Sequence, residues 1–344
     1  MSGGIDSAVA ALITLQSGYD VSGATMSLCQ KKAPDGTDLA LQDIADAKAV
    51  CDRLGIEHRV YSFEERFHSA VIRDFVDTYY SGGTPNPCIV CNKLLKFGAL
   101  LDEEIGNGAD FIATGHYARI ERRDDGRYLL KKAADDKKDQ TYMLWSLSQY
   151  QLSHTLFPLG DLKKSEIRKI GEDNGFVIAH KSDSQDICFV PDGDYASYIE
   201  KEVGEKYPCG NYIDENGKVL GKHKGIIHYT IGQRKGLGIS MGRHIFVTKK
   251  DAETNTVTLA DENRLFTKTV VINRINLIPF DKIDGRIRVK AKIRYRHPES
   301  DAYAEQTGED EITLTFDEPQ RAPAKGQSAV LYDGDYVVGG GIIQ

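Results

Sequence analysis

The six residues at positions 2–7, Ser-Gly-Gly-Ile-Asp-Ser, constrain the fold of this chain more than any other segment. They run into an apolar stretch at residues 8–12, which predicts a loop that leads into a helix. Two glycines allow a tight turn that presents bare N–H groups to an anion, and the helix N-terminus adds partial positive charge. No lysine closes the motif, so it is not a P-loop. It predicts a phosphate site; the alternative is a glycine-rich turn with a Ser or Asp helix cap.

The first half of the chain alternates between helical and extended patterns. Helices are predicted at residues 8–17, 41–54, 64–80 and 93–105, and strands at residues 21–26, 58–61 and 111–116. Strands separated by helices imply a parallel, doubly wound α/β sheet. Because ligands bind such sheets at the carboxyl ends of the strands, the opening loop, Met26 and the pair Gly115 and His116 are expected at the site.

Beyond about residue 205 the pattern changes to short β-like runs separated by glycine turns. This texture predicts all-β structure, made of one small domain followed by a terminal barrel. We therefore expect three domains: a catalytic domain at residues 1–200, a central β-rich domain at 201–265 and a C-terminal β-barrel at 266–344.

The composition fits a soluble globular protein, with 40% hydrophobic and 28% charged residues. Six cysteines in 344 residues do not make a disulfide scaffold. Neither a secretion signal nor an apolar run long enough for a membrane span is present in the sequence. These features predict a cytoplasmic protein with no membrane partner. The net charge of −7 does not indicate a nucleic-acid binder, so the local distribution of charge matters more.

A second feature is the segment at residues 84–93, Thr-Pro-Asn-Pro-Cys-Ile-Val-Cys-Asn-Lys. Two prolines indicate a rigid extended loop, which would put Cys91 at the mouth of the following helix. The helix dipole and the nearby Lys93 and Lys96 are expected to lower the pKa of Cys91 and favour its thiolate. By itself, Cys-x-x-Cys is compatible with a redox pair, half a metal site or two buried thiols.

A third feature is the polar run at residues 181–189, which ends in Cys188 between apolar neighbours. Taken alone, this pattern is typical of a surface turn before a buried cysteine. A phosphate loop, a rigid cysteine loop and a polar loop with one cysteine, in that order, are far more specific together than any one of them.

Basic residues are concentrated in the second half. Residues 221–250 contain lysines and arginines but no acid, and residues 286–296 place a cation at every second position. Period two predicts a strand with one cationic and one buried face, and a phosphate backbone would relieve the repulsion between the cations. The alternative is a solvated strand paired with acidic neighbours, which residues 305–318 could supply.

Together these features closely resemble the tRNA-specific 2-thiouridylases, which belong to the PP-loop ATP pyrophosphatases, and the likeness extends over the whole chain. Further matching segments lie at residues 113–117, 138–142, 156–160, 185–189, 228–238, 326–330 and 339–342. The resemblance implies ATP-dependent 2-thiolation of the wobble uridine of tRNA, with Mg²⁺ as the divalent ion. AMP is attached to the C2 oxygen, and sulfur then replaces that oxygen.

The resemblance also implies roles for individual residues. Cys188 corresponds to the persulfide carrier and Cys91 to its partner, with which it could form a disulfide as sulfur is released. The implied ATP-binding residues are Ser2, Gly3, Gly4, Ile5, Asp6, Ser7, Met26 and Gly115. The segment that meets the flipped-out base is Asn86, Pro87 and Cys88. The implied tRNA contacts are His116, Lys138, Asp139, Gln140, Arg294, Tyr295 and Gln327.

Partners follow from the same resemblance. The expected substrates are the tRNAs for lysine, glutamate and glutamine. The expected sulfur donor is a cysteine desulfurase or a relay protein.

The sequence departs from the family at position 88, where Asp is common and this chain has Cys. Cys88, Cys91 and Cys188 could therefore ligate a [4Fe-4S] cluster whose open iron carries sulfide, as has been proposed for members of the family. The sequence leaves the persulfide and cluster routes open.

A second departure lies at the start of the chain, because the family has a β-strand before the opening loop. Its absence predicts an unanchored loop and an upstream true start. Two other functions remain as alternatives: a PP-loop ligase acting on a small molecule, and an inactive tRNA-binding remnant.

Overall fold

The computed structural model describes residues 1–29, 38–176, 187–239 and 242–344. They divide into two compact units. The first comprises Met1–Val71, Cys88–Phe189 and Asp335–Val337, and the second comprises Ile72–Pro87, Val190–Gly334 and Val338–Gln344. The polar run predicted at residues 181–186 lies outside the described residues.

The first unit contains the α/β part of the fold. Its helices and strands are α1 Ile5–Gln16, β1 Gly23–Ser27, α2 Leu39–Leu54, β2 His58–Ser62, α3 Glu64–Phe67, β3 Ile112–Ala113, β4 Ala118–Arg122, β5 Tyr128–Lys132, α7 Gln149–Ser153, β6 Thr155–Leu156 and α8 Lys164–Asp173. β1 pairs with β2 and β3 pairs with β6, in both cases in parallel, while β4 and β5 form an antiparallel hairpin. The parallel pairing of strands that flank helices confirms the predicted α/β class.

Helix α1 begins at Ile5, three residues earlier than the pattern predicted, so residues 5–7 form its first turn. Apolar residues recur along it at helical spacing, and Ile5, Val9 and Leu12 are buried. They pack against Ile167 of α8 in one hydrophobic cluster. This core fixes the end of the helix that carries the opening loop.

The helix after the cysteine loop also begins earlier than predicted. Residues 87–106 are continuously helical, as α5 Pro87–Cys91, a π-helical stretch Asn92–Ala99 and α6 Leu100–Gly106. Proline is favoured at a first helical position, where its missing N–H leaves no bond unmade. The expectation that Cys91 follows an extended loop and lies at the helix mouth was therefore wrong. Cys88 and Cys91 both lie inside the first turns.

The second unit contains α4 Arg73–Tyr80 and α9 Tyr195–Val203, followed by β structure. A four-stranded sheet has the order β8 Val219–His223, β7 Gly210–Ile213, β10 Thr256–Ala260 and β9 Phe246–Asp251. The last strands are β11 Phe266–Leu277, β12 Arg286–Lys292, β13 Ser300–Gly308, β14 Glu311–Arg321, β15 Ser328–Asp333 and β16 Tyr336–Ile343. They form a barrel in the order β11-β14-β13-β12-β15-β16, closed by pairing of β16 with β11. The predicted all-β texture and terminal barrel are confirmed.

Strand β12 shows the predicted alternation, since Arg286, Arg288 and Lys290 are exposed while Val289 and Ala291 are buried. The strand ends at Lys292, so the cations at positions 294 and 296 lie in the following turn and not on the strand.

Acidic groups stand beside the cations of β12. Arg286 pairs across the ladder with Glu305 and Lys290 with Asp301, and Arg288 donates to Asp317 at 2.9 Å. The acidic-neighbour alternative therefore holds for this face. Among the described residues, no helix is both long and apolar enough to cross a membrane.

Candidate active site

The opening loop is tightly folded against the rest of the first unit. Gly3 has φ +67°, and a Cβ atom there would lie 2.6 Å from the backbone oxygen of Asp43. Ser7 Oγ donates to the Gly4 oxygen at 2.9 Å and lies 3.1 Å from both the backbone nitrogen and the hydroxyl of Ser2. Only glycine fits both this left-handed conformation and this close approach.

The N-terminus of α1 has no side-chain cap, because its N-cap is Gly4 and no side chain bonds the first N–H groups. The expected alternative of a Ser or Asp cap is therefore wrong. Uncapped N–H groups at a helix N-terminus can bind an anion, and the helix dipole favours negative charge there. The loop can thus bind phosphate oxygens.

Asp6, in the first turn of α1, is held from two sides. Lys164 Nζ donates to its two carboxylate oxygens at 2.7 and 2.9 Å, and the Tyr117 hydroxyl donates to Oδ1 at 2.8 Å. Lys164 is buried, with a side-chain exposure of 9%, whereas the Asp6 side chain is 30% exposed, so the ion pair is only partly shielded from water. The lysine that the motif lacks in sequence is supplied by α8, 158 residues away. Sequence reasoning missed Lys164, and no spacing in the sequence marks it.

Gly115 packs directly on the opening loop. A Cβ atom at this position would lie 2.7 Å from the backbone carbon of Asp6, so only glycine allows the approach. Met26 is the penultimate residue of β1 and is half-buried. Thus Gly115 is in contact with the loop, and Met26 lies at the carboxyl end of its strand, as expected.

The three cysteines singled out in the sequence lie in the same unit and influence one another. Cys188 raises the pKa of both Cys88 and Cys91, and Cys88 raises that of Cys91. Cys188 is exposed, and the next residue, Phe189, is buried with its ring 5.6 Å from that of Phe67. Cys188 therefore acts electrostatically on a pair of cysteines that lies about 100 residues earlier in the chain.

The expected depression of the Cys91 pKa was wrong. Burial raises the pKa of Cys91 to about 11 and outweighs the positive charge of Lys96, which acts in the opposite direction. The pKa of Cys88 is also raised, by desolvation of its thiol and by Cys188, although the residue is exposed. At Cys91, removing water destabilises a thiolate more than one nearby cation stabilises it, so this thiol rests in the neutral form.

His116 lies between the cysteine helix and the end of β3. Its Nε2 lies 3.5 Å from Lys96 Nζ and its Nδ1 lies 2.8 Å from Thr114 Oγ1, and its ring is close to those of Phe97 and Phe157. Burial holds the pKa of His116 well below its usual range. The imidazole is therefore neutral, which argues against a charge-based contact with a phosphate.

The side chains of Asp139 and Gln140 hold the chain around Tyr117. The two oxygens of Asp139 accept from Ala133 N at 3.1 Å and from the Thr141 hydroxyl at 2.6 Å. Gln140 Oε1 accepts from Tyr117 N at 2.9 Å. Lys138 precedes them, and its backbone N–H donates to Asp135. This segment positions the hydroxyl that binds Asp6.

The remaining expected RNA- and base-contact residues lie in the second unit. Gln327 Nε2 donates to the backbone oxygens of Thr84 and Pro85 at 3.0 and 3.2 Å. Arg294 donates to the backbone oxygens of Ile231 and Ala322. Tyr295 lies 6.0 Å from the ammonium group of Lys292, measured to its ring centre. Asn86 is half-buried and Pro87 is buried.

Metal-binding side chains are not clustered among the residues that the structure describes. Over residues 1–29, 38–176, 187–239 and 242–344, no three His, Cys, Asp or Glu side chains are grouped so that they could hold a metal ion. Cys88, Cys91 and Cys188 therefore do not form a ready-made ligand set.

Three family models cover the chain in succession. They are the tRNA methyl transferase HUP domain at residues 1–192, the tRNA methyl transferase PRC-barrel domain at 196–261 and the aminomethyltransferase beta-barrel domain at 267–343. Curated relatives match along the full chain. The tRNA-specific 2-thiouridylases MnmA of Clostridioides difficile, Clostridium beijerinckii and Acetivibrio thermocellus are 49, 48 and 47% identical. All three alignments cover 100% of this chain and 96, 97 and 98% of the respective relatives.

Proposed function

We infer that this chain, which belongs to the tRNA-specific 2-thiouridylase family, is a tRNA-uridine 2-sulfurtransferase. We propose that it adenylates the C2 oxygen of the wobble uridine, position 34, with ATP and then replaces that oxygen with sulfur. The observation that carries this proposal is that the uncapped N-terminus of α1 and the cysteines Cys88, Cys91 and Cys188 belong to the same compact unit. Both halves of a two-step substitution are thus present on one scaffold.

For adenylation, we propose that the uncapped N–H groups of α1 bind the pyrophosphate of ATP. The uridine C2 oxygen attacks the α-phosphorus, the bond to the β-phosphate oxygen breaks, and pyrophosphate leaves. Lys164 offsets the negative charge of Asp6 beside the loop, which reduces repulsion where negative charge accumulates on the leaving group. Met26 and Gly115 are assigned to the adenosine side.

Magnesium fits this loop by the chemistry of its donors. Asp6 presents two carboxylate oxygens, which are the hard ligands that Mg²⁺ prefers. The ion would supply charge neutralisation of the pyrophosphate. The chain itself aims the carboxylate, since Lys164 and Tyr117 hold it in one orientation.

For sulfur transfer, we propose that Cys188 carries a persulfide. Its terminal sulfur attacks C2, the bond from C2 to the adenylated oxygen breaks, and AMP leaves with the electron pair. The Cys91 thiol, which is neutral at rest, loses its proton to water, and the resulting thiolate attacks Sγ of Cys188. A Cys91–Cys188 disulfide forms, and the bond to the transferred sulfur breaks, leaving that sulfur on the base as 2-thiouridine. A low-molecular-weight thiol or a protein dithiol reduces the disulfide for the next turnover.

A [4Fe-4S] cluster on Cys88, Cys91 and Cys188 is the second candidate, because the three cysteines lie in one unit. The described side chains as they stand do not fit a cluster, because no three His, Cys, Asp or Glu side chains among them are grouped so that they could hold a metal ion. No step is assigned to a cluster. Iron and acid-labile sulfide analysis after anaerobic purification tests this, and activity that depends on about four irons per chain would replace the persulfide route.

The remaining assignments complete the proposal. We propose three domains at residues 1–200, 201–265 and 266–344, tRNAs for lysine, glutamate and glutamine as substrates, and a cysteine desulfurase or relay protein as sulfur donor. Asn86, Pro87 and Cys88 are proposed to meet the target base. Lys138 and Tyr295 are proposed as tRNA contacts together with His116, Asp139, Gln140 and Arg294.

The test is mass spectrometry of tRNA nucleosides after incubation with ATP, Mg²⁺ and a sulfur donor. We expect 2-thiouridine with the unmodified chain, none with Cys91→Ala or Cys188→Ala, and normal amounts with Cys209→Ala, which removes an exposed cysteine of the second unit. Pyrophosphate release is measured in parallel. Release without tRNA dependence would favour a small-molecule ligase, and tRNA binding without release would favour an inactive remnant.

A further inference from the structure

The segment that leads into the cysteine helix, residues 82–86, is fixed by side chains from two distant parts of the second unit. We call it the base-contact loop, since Asn86 lies at its end and Pro87 begins α5. The role of this loop in meeting the target base rests on the proposed function above. The contacts that hold the loop are observed in the structure and are independent of that proposal.

The backbone polar groups of Gly83, Thr84 and Pro85 all have partners. Gly83 N donates to Thr78 O at 2.8 Å, and Thr84 N donates to Lys325 O at 2.7 Å. Gly83 O accepts from Lys250 Nζ at 3.1 Å. Gln327 Nε2 donates to the other two carbonyls, of Thr84 and Pro85. These bonds hold the backbone at residues 83–85 in one conformation.

Close packing adds to these bonds. A Cβ atom on Gly83 would lie 2.7 Å from Thr78 Cγ2, and one on Gly326 would lie 3.1 Å from both Thr84 N and Thr84 O. Gly326 also has φ +88°. The backbone of the loop and the start of the barrel strand β15 therefore approach too closely for any side chain between them.

The side-chain amide of Gln327 donates its hydrogen bonds to this loop. A side-chain amide has two N–H groups, and both are directed at the carbonyls of Thr84 and Pro85. Only the acceptor Oε1 remains, and it cannot bond a phosphate oxygen, which is also an acceptor. The geometry thus points away from a phosphate contact and toward a role in holding the loop.

Lys250, on β9, acts on the same loop from the central sheet. Its ammonium group donates to Tyr229 O at 2.8 Å as well as to Gly83 O, and it lies 5.9 Å from the centre of the Tyr79 ring. Its neighbour Lys249 points to solvent, with a side-chain exposure of 71%. Lys249 and Lys250 are thus the same residue type at adjacent positions, and they differ in whether the side chain contacts the loop. Lys249 therefore serves as the matched control for Lys250.

We propose that Gln327 and Lys250 are positioning residues that fix the base-contact loop for sulfur transfer, and that Gln327 does not bind a tRNA phosphate. The barrel and the central sheet then contribute to the rate of the chemical step and not only to RNA affinity. A small misplacement of a reacting base is enough to slow such a step by one to two orders of magnitude.

The experiment measures kcat for thiolation at saturating tRNA and the Kd for tRNA with Gln327→Glu, Lys250→Met, Lys250→Arg and Lys249→Met. Gln327→Glu places a carboxylate against two carbonyl oxygens. We expect it and Lys250→Met to lower kcat by roughly tenfold or more, with Kd within about twofold of the unmodified chain. Lys250→Arg retains a donor and is expected to recover most of kcat, and Lys249→Met is expected to change neither value.

Several results would overturn the inference. A raised Kd with unchanged kcat would make Gln327 a direct tRNA contact. No change in either value would show that Gln327 has no role in thiolation. If Gln327→Glu does not fold by circular dichroism, Gln327→Met removes both donors without adding charge and takes its place. A failure of the unmodified chain to thiolate tRNA would instead reject the proposed function, so the two failures are distinct.

Discussion

Lys164 Nζ lies 2.7 and 2.9 Å from the two carboxylate oxygens of Asp6, although 158 residues separate them in the chain. This ion pair joins the first turn of α1 to the first residue of α8, and its lysine is buried. Breaking a buried pair leaves one charge without compensation, which is costlier than never having had the pair. The opening loop therefore depends on a residue outside its motif.

The first prediction concerns this lysine. Lys164→Met should reduce tRNA-dependent pyrophosphate release by about 10²-fold or more, because Asp6 loses its orientation and the site loses a cation. Pyrophosphate release and ATP binding are measured side by side. The matched control is Lys169→Met on the exposed face of the same helix, which should leave release unchanged. Equal rates for Lys164→Met and the unmodified chain would contradict the assignment.

The second prediction concerns the shape of the opening loop. Gly3→Ala should abolish ATP binding measured by calorimetry, because the added Cβ would lie 2.6 Å from the backbone oxygen of Asp43. Gly55→Ala is the matched control: Gly55 also has positive φ, at +69°, but no atom lies within 4 Å of its Cβ position. In both variants, alanine in the left-handed backbone conformation costs about 1 kcal/mol. Loss of ATP binding in both variants would attribute the effect to that strain alone.

The third prediction concerns cysteine reactivity. Because the pKa of Cys91 is raised to about 11, its alkylation by iodoacetamide should be slow at pH 7.5 and rise about tenfold per pH unit up to pH 10. Mass spectrometry of the labelled peptide gives the rate, and the guanidinium-denatured chain provides the unperturbed reference. Lys96→Met should slow labelling further, since Lys96 lowers this pKa. Labelling of native Cys91 as fast as in the denatured chain would show that burial does not control it.

The fourth prediction concerns His116 and pH. Its pKa is lowered in the folded chain, so unfolding lets it bind a proton below about pH 6.5. The associated stability is fully present above that pH and is lost as the pH falls, by at most about 1.4 kcal/mol per pH unit. Urea unfolding at pH 7.5, 6.5 and 5.5 measures this slope.

His116→Gln should reduce the slope by up to one proton. His58, His223, His297 and the Met1 amino group also have lowered pKa values, and they remain in the variant and still contribute to the slope. An unchanged slope in the variant would mean that His116 is not neutral in the folded chain.

Much of the site could be predicted from the sequence because its parts are local. The Ser-Gly-Gly-x-Asp-Ser pattern identifies a turn that needs glycine, and the structure has Gly3 at φ +67° there. Period two from position 286 identified β12 and its buried face. Backbone conformation and side-chain periodicity depend on near neighbours, and so the sequence is sufficient to predict them.

The helix starts and the electrostatics were predicted less well. Pro87 begins a helix that the pattern began at residue 93, because proline is compatible with both an extended loop and a first helical turn. The pKa of Cys91 was expected to fall because two lysines follow it in sequence. Burial outweighs those charges, and burial is set by elements distant in the chain.

The amino-acid sequence by itself determined the α/β class, the β-barrel, the phosphate loop and the membership of a thiolation family. Only the tertiary structure decided which side chains act on the loops: Lys164 on Asp6, and Gln327 and Lys250 on the base-contact loop. Each is an ordinary polar residue in an unremarkable context. Its effect comes from long-range packing that places a donor 2.7–3.1 Å from its acceptor, and no local pattern encodes such a distance.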